Sequence, residues 1–407
     1  MTMERIGRLS VIIGQGGVLC KEEELFRNHK RKSLFIGIPN EQRKGDNRVC
    51  LTPETVRTLV DMGHKIIVQR GAGEGANYTD REYCDCGARI VETLEEVYVA
   101  DIILKVTSVS VREAEYMHEH QVILSSMKVF QLKKEAIVEM MRKKVTALGF
   151  DIIKDDEGYY PIVRIMSEIA GNAAIMIAGE YLNNSREGKG IILGGVSGIT
   201  PTEVMILGAG TLGEYAARAA LGLGATVKVF DASVNRLRQL REKLNGQVYT
   251  SVFHEPVVNK SLLTADVVIG AVRCLDKKQA VMIREEQVKL LKRGAVIVDL
   301  SVDQGGCIET SYPTTHAQPV YTYEGVIHYC VPNVLSRVAK TASIAYSNVL
   351  LPLLSEVADL GGFTQALRVN AGLRNGVYIY NGILTKEVLA DRFELMSKDI
   401  DLLLAAL

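Results

Sequence analysis

The chain has 407 residues, enough for two to three domains of about 150 residues each. Lys plus Arg and Asp plus Glu both total 48, so the formal net charge is zero and no basic surplus points to nucleic acid as the partner. Hydrophobic residues make up 47%, which excludes a largely disordered chain, yet no uninterrupted apolar stretch approaches the ~20 residues of a membrane span.

Residues 1–33 fit no regular pattern and read as an N-terminal arm without a signal-peptide apolar region. From residue 34 onward, apolar runs of strand length at 34–38, 66–68, 102–106, 122–125 and 145–150 alternate with helical patterns at 53–62 and 133–143. Thr52 can cap the first of these helices, Pro53 suits its first position and Gly63 supplies the stop. A long helical pattern at 167–182 leads into the glycine-rich link 188–198. A second alternating series then begins, with strands at 204–207, 226–230, 267–272 and 295–300 and helices at 212–223, 234–244 and 285–291. An apolar helical pattern at 342–354 precedes a less regular tail. Such alternation predicts parallel sheets covered by helices. The seven cysteines lie scattered without a CxxC pair. They read as reduced thiols, no metal site is expected, and the whole reads as a soluble cytoplasmic protein.

The sharpest motif is Val204-Met205-Ile206-Leu207-Gly208-Ala209-Gly210-Thr211-Leu212-Gly213, an apolar strand entering GxGxxG ahead of a helical pattern. Gly208 permits the turn, Gly210 lets the backbone approach a pyrophosphate, and Gly213 allows close helix–strand packing. A second strand ends at Asp231, about 20 residues beyond Gly208, where an acid accepts hydrogen bonds from an adenosine ribose and repels a 2′-phosphate. NAD is the expected cofactor. Two later strand ends, Gly270-Ala271-Val272 and Asp299 to Gly306, are candidates to meet the nicotinamide. Asp303 precedes a glycine pair, so it is either presented into a cleft or simply a turn-former.

Further motifs bring a family into view. These are Gly37-Ile38-Pro39-Asn40-Glu41 through Asn47-Arg48-Val49-Cys50-Leu51-Thr52-Pro53, Gly71 to Gly75, Met166-Ser167-Glu168-Ile169-Ala170-Gly171, and Gly194 to Gly198. Asp303-Gln304-Gly305-Gly306-Cys307, Pro313-Thr314-Thr315-His316 and His328-Tyr329-Cys330-Val331-Pro332-Asn333 follow. In this ordered set the chain resembles the alanine dehydrogenase family, with the NAD-binding domain of proton-translocating transhydrogenase as a relative. The resemblance implies an α/β protein of two Rossmann-like, doubly wound parallel-sheet domains with a cleft between them. Residues 34–165 plus 340–407 would form a discontinuous substrate domain, and 166–339 the NAD-binding domain. It implies reversible NAD-dependent oxidation of L-alanine to pyruvate and ammonia by a homo-oligomer, commonly a hexamer. Arg48 matches the family's carboxylate-binding arginine, and a guanidinium fork suits that bidentate task. Asn333 and Met166 match substrate-side positions, and Ser167 and Val272 match cofactor-side ones. Asp303 matches a residue near both nicotinamide and substrate, where it can act in catalysis.

Two positions depart from the family. Thr107 stands where alanine dehydrogenases carry a substrate-binding lysine; Lys105 matches a different lysine that transhydrogenase domains share. Lys128 stands where the family has its acid/base histidine. Three readings of Lys128 stay open: an acid/base group with a lowered pKa, a binder of the substrate carboxylate or carbonyl, or an exposed lysine in a protein without this chemistry. Besides alanine oxidation, the alternatives are a dehydrogenase of another amino or imino acid, as in saccharopine dehydrogenases, and an NAD-binding homologue without alanine dehydrogenase activity.

Overall fold

A computed structural model describes residues 31–42, 45–127, 129, 131–186, 188–272 and 281–405. Of the N-terminal arm only 31–33 fall in this set, and Lys128 lies outside it.

Six strands, β1 (Phe35–Ile38), β2 (Lys65–Gln69), β3 (Arg89–Val91), β4 (Ile102–Leu104), β5 (Val122–Ser125) and β6 (Thr146–Gly149), pair in parallel in the order 3-2-1-4-5-6. Helix α1 (Pro53–Asp61) connects β1 to β2. Its start has the expected proline, but the Thr52 hydroxyl does not cap it and instead donates to Thr55 Oγ1 at 3.3 Å. Its end is as expected, with Gly63 at φ +90°. The Ile and Leu side chains of β1, β4 and β5 are almost wholly buried, as strands covered on both faces must be.

Helix α2 (Pro161–Leu182) begins earlier than the periodicity suggested, at a proline that fits the first helical turn. Its early residues Ile162 and Met166 belong to the first sheet's core, and Ala170 through Leu182 to the second's. Among the described residues it is the one helix long and apolar enough to cross a membrane, and half of that stretch is buried inside the fold.

The second sheet contains β7 (Glu203–Leu207), β8 (Thr226–Phe230), β9 (Tyr249–Ser251), β10 (Val267–Gly270) and β11 (Val296–Asp299). The hairpin β12 (Val320–Tyr323) and β13 (Val326–Tyr329) completes it. Its order, 9-8-7-10-11-13-12, repeats the first sheet's pattern, with β12 alone antiparallel. Helix α3 (Thr211–Gly222) follows β7 and packs along α2. Helix α4 (Ala339–Asp359) then returns the chain to the first sheet's core, through Ala342, Tyr346 and Leu350. The tail is more regular than its sequence suggested. Strands β14 (Val377–Tyr380) and β15 (Ile383–Leu384) extend the first sheet antiparallel beside β6. The protein is thus an α/β molecule of two mostly parallel, doubly wound sheets joined through α2 and α4.

Candidate active site

β7 ends at Leu207, just before Gly208, where the second sheet's strand order reverses between β7 and β10; ligands of open α/β sheets bind at such a point. Gly208 has φ +109°, and a Cβ there would stand 2.6 Å from the Ala271 carbonyl oxygen. A Cβ on Gly213 would stand only 1.9 Å from the Gly208 carbonyl oxygen, so α3 can start against the turn only with glycine at that position. Gly210, by contrast, faces open space, with nothing within 4 Å of its Cβ position. The first turn of α3 therefore borders an open backbone cradle, and its amides and dipole suit a pyrophosphate. Val272 lies beside this turn, its Cγ2 3.2 Å from the Gly208 Cβ position.

Asp231, at the end of β8, is nearly buried. Its Oδ2 accepts the Ala209 N–H at 2.8 Å and its Oδ1 the Ser233 N–H at 2.7 Å. It thus pins the glycine turn to β8, and each oxygen keeps a lone pair for a ribose hydroxyl. Ser167, on α2, donates its hydroxyl to the Val163 carbonyl at 2.7 Å, which leaves the oxygen free to accept. Gly171, one turn later, packs against the Leu212 carbonyl, so Ser167 lies close to the start of α3. Asp303 is half-buried in the single helical turn Val302–Gln304 that follows β11. That loop is shaped by the fully buried Asp299, whose carboxylate accepts the Ser301 N–H at 3.0 Å and the Cys307 N–H at 3.2 Å.

Arg48 sits in the irregular segment between β1 and α1, where the backbone must find partners outside a sheet. Serines spaced along α4 and the turn before it supply them. Ser336 Oγ accepts the Asn47 N–H at 2.9 Å, Ser343 Oγ the Val49 N–H at 2.9 Å, and Ser347 Oγ the Thr52 N–H at 2.8 Å. The Arg48 side chain is 10% exposed and forks onto Asp46, with Nε to Oδ1 at 2.8 Å and Nη2 to Oδ2 at 2.6 Å. Its Cζ also lies 5.8 Å from the centre of the Tyr346 ring. Burial opposes its charge, but Tyr346, Asp46 and Glu41 outweigh that and hold its pKa above the ordinary range. The pairing with Asp46 uses Nε and Nη2 and leaves Nη1 for a ligand. Asn333 donates from Nδ2 to the Gly45 carbonyl at 2.8 Å and so joins the second sheet's last strand to the Arg48 loop. Met166, buried on α2, lies in the same core as Tyr346.

Lys105 and Thr107 form a closed knot at the end of β4. Lys105 is fully buried, and its ammonium donates to the Thr107 carbonyl at 2.8 Å, Thr107 Oγ1 at 2.9 Å and the Ser108 carbonyl at 3.0 Å. Glu41 and Glu113 lie 3.1 and 3.3 Å from it. Burial works against the ammonium charge, but the two carboxylates prevail and raise its pKa. Glu41 accepts hydrogen bonds from Val106 N–H, Thr107 N–H and the Thr107 hydroxyl. Thr107 therefore carries no charge toward a ligand, and its hydroxyl is committed to the knot.

The structure thus gathers the predicted residues into two groups. Gly208, Gly210, Gly213, Asp231 and Val272 surround the β7–α3 turn, with Ser167 one helical turn from the residue that packs against α3. Arg48 and Asn333 meet through the Gly45–Asp46 segment. Residues 37–170 match the family described as "Alanine dehydrogenase/PNT, N-terminal domain", and residues 174–387 match "Alanine dehydrogenase/PNT, C-terminal domain". The chain belongs to the alanine dehydrogenase family. It is 36% identical to an alanine dehydrogenase of Methanococcus maripaludis over 89% of this chain and 97% of that one. The identity to an alanine dehydrogenase of Mycobacterium tuberculosis is 34%, over 88% of this chain and 96% of that one. A solved structure described as L-alanine dehydrogenase superposes with a TM-score of 0.82 at 33% identity, over 88% of this chain and 99% of that one. Members of the family share the two-sheet α/β fold seen here.

Sequence reasoning missed the residues that hold this family member's site together: Asp46, Glu41, Asp299 and the serines of α4. Asp46, two positions before Arg48, carried a local signal. Asp299 and Glu41 stand within motifs noted above, which do not show their roles, and the serines act from almost 300 positions along the chain and carried no signal.

Proposed function

We propose that this protein oxidises L-alanine to pyruvate and ammonia, reversibly, with NAD. The observation that carries this reading is that one fold presents both an open dinucleotide turn and a buried arginine fork, in a chain that matches alanine dehydrogenases over nearly all of their length. The glycine turn, Asp231 and Val272 would hold NAD, with Ser167 accepting from the nicotinamide amide. When bound, NAD supplies the hydride acceptor. A carboxylate at Arg48 Nη1 fixes the amino acid's Cα in one orientation, which converts an encounter into a positioned reaction. Asn333, braced on Gly45, keeps the second sheet's edge against that loop. Asp303, on a turn held by Asp299 just after β11, takes the proton in this reading. Lys128 is the further candidate for that proton.

Thr107 favours a second reading within the same chemistry. Its hydroxyl is tied to Glu41 and Lys105, so the place of the family's substrate lysine supplies no cation, and in this reading the substrate is another amino or imino acid. The deciding experiment follows NADH formation with NAD and L-alanine, then with a panel of amino and imino acids. Turnover with L-alanine is expected. Tight NADH binding with turnover only on another substrate moves the reading to that substrate, and no turnover on any removes it. Lys128→Ala should abolish turnover and leave NADH affinity nearly unchanged; retained activity assigns the proton to Asp303.

A further inference from the structure

A polar cavity lies on the molecule, and neither Arg48, Asp303 nor the glycine turn lines it. Its volume is about 610 Å³, within the range of sites that take small metabolites. Its walls come from both halves of the protein. Asn47, Gly75 and Asn77 belong to the first sheet's side, Glu180, Arg186 and His316 to the second's, and Arg337 and Lys340 to the segment leading into α4.

Charge is what singles it out in a chain of zero net charge. Arg186, Arg337 and Lys340 line it with one carboxylate, Glu180, and Glu82, outside the lining, lies within electrostatic reach of Lys340. Glu180 is shared by both arginines, at 3.0 Å from Arg186 and 2.7 Å from Arg337. Three cations against one acid leave two positive charges uncompensated among the lining residues. Each cation also lies over a tyrosine face: Arg186 on Tyr181 at 5.8 Å, Arg337 on Tyr329 at 5.8 Å and Lys340 on Tyr78 at 4.9 Å. Such stacking fixes the cations in place without neutralising them. Tyr329 is fully buried in the wall, and its hydroxyl has no hydrogen bond of good geometry, although the Arg337 guanidinium is beside it.

We propose that this cavity binds a small polyanion, a phosphate ester or a polycarboxylate, held by Arg186, Arg337 and Lys340. Two guanidinium forks give bidentate contacts to either oxyanion, and the lysine adds a point charge. The site stands whether or not the neighbouring cleft oxidises alanine.

Calorimetric titration with pyrophosphate and with citrate tests this, in saturating NADH so that the dinucleotide turn is filled. The proteins are the wild type, the double variant Arg186→Ala/Lys340→Ala and Glu180→Gln. Both residues of the double variant are exposed, and circular dichroism verifies its fold. At least one anion binds the wild type, about tenfold more weakly in the double variant, and more tightly in Glu180→Gln, where the arginines lose their competing acid. The preferred anion tells phosphate from carboxylate. Absence of binding by both anions, or equal binding to all three proteins, overturns the proposal.

Discussion

The glycine turn and the Arg48 loop are built in opposite ways. The turn is assembled from one contiguous stretch, β7 to the start of α3, with a single clamp from Asp231 at the end of the next strand. Its steric demands are local, and glycine meets them by having no side chain. The Arg48 loop has no regular structure, and its backbone is satisfied by serines almost 300 positions later in the chain. One site is specified by a motif, the other by the return of α4. A change in the first should therefore harm cofactor binding and spare substrate handling, and a change in the second should harm substrate handling and spare cofactor binding.

Arg48→Ala is the largest test of this contrast. It removes the fork and strands Asp46 as a buried charge without its partner, so stability should fall by about 3–5 kcal/mol. Turnover efficiency should fall about a thousandfold where protein remains folded, with NADH affinity unchanged. Denaturant melts and NADH fluorescence titration measure the two effects. A parallel loss of NADH binding would show that the two sites are not separately built.

Gly213→Ala reverses the pattern. The added methyl would meet the Gly208 carbonyl at 1.9 Å, a backbone atom that cannot swing aside. The turn and α3 must move apart, at a cost of about 3 kcal/mol, and NADH affinity should fall sharply. Thermal melts and the same titration check this; unchanged NADH affinity would remove the turn from the cofactor site.

The contrast also explains how much could be read from the chain. The alternation of short apolar runs and helical patterns carries the two-sheet fold, and strand–GxGxxG–helix carries the turn, because their causes lie within a few residues of their effects. The β14–β15 hairpin has a local signal, Asn381-Gly382, whose φ values of +46° and +81° make the tight turn, but β14 joins the sheet only by pairing with β6, more than 220 positions away, and no local pattern carries that. Arg48 is legible as a candidate, but Ser343, Tyr346 and Glu41, which set its position and charge, are not. The Thr107 knot is the clearest case. Sequence shows a missing lysine, and only the fold shows that the hydroxyl in its place is bound to Glu41 from 66 positions earlier.

Ser343→Ala tests positioning from a distance with a milder change. Ser343 is fully buried, and its Oγ accepts the Val49 N–H, so the variant leaves a buried donor unsatisfied. Stability should drop by about 1–2 kcal/mol. Arg48 is one residue away, so KM for the amino acid should rise more than kcat falls, with NADH affinity unmoved. Steady-state kinetics read that split. An equal effect on NADH binding would mean that α4 supports both sites alike.

The smallest effect is titration, and it samples each half of the molecule once. His64 abuts the first sheet and His328 lies in β13 of the second; burial, the main cause in both, holds their pKa values below the ordinary 6.5. His64 Nδ1 accepts the Leu34 N–H at 3.2 Å, so protonation there breaks a bond that closes β1. His328 pairs with Thr310 Oγ1 through Nε2 at 2.8 Å and with the Val326 carbonyl through Nδ1 at 3.1 Å, a neutral arrangement. Below pH 6.5 the unfolded chain binds protons that these folded imidazoles resist, so stability is full above that pH and declines as pH falls toward the folded values. Melts between pH 7.5 and 5.5 should show the decline, shallower in His328→Gln, which removes the second sheet's share. An unchanged slope in that variant would assign the whole acid sensitivity to the first half, around His64.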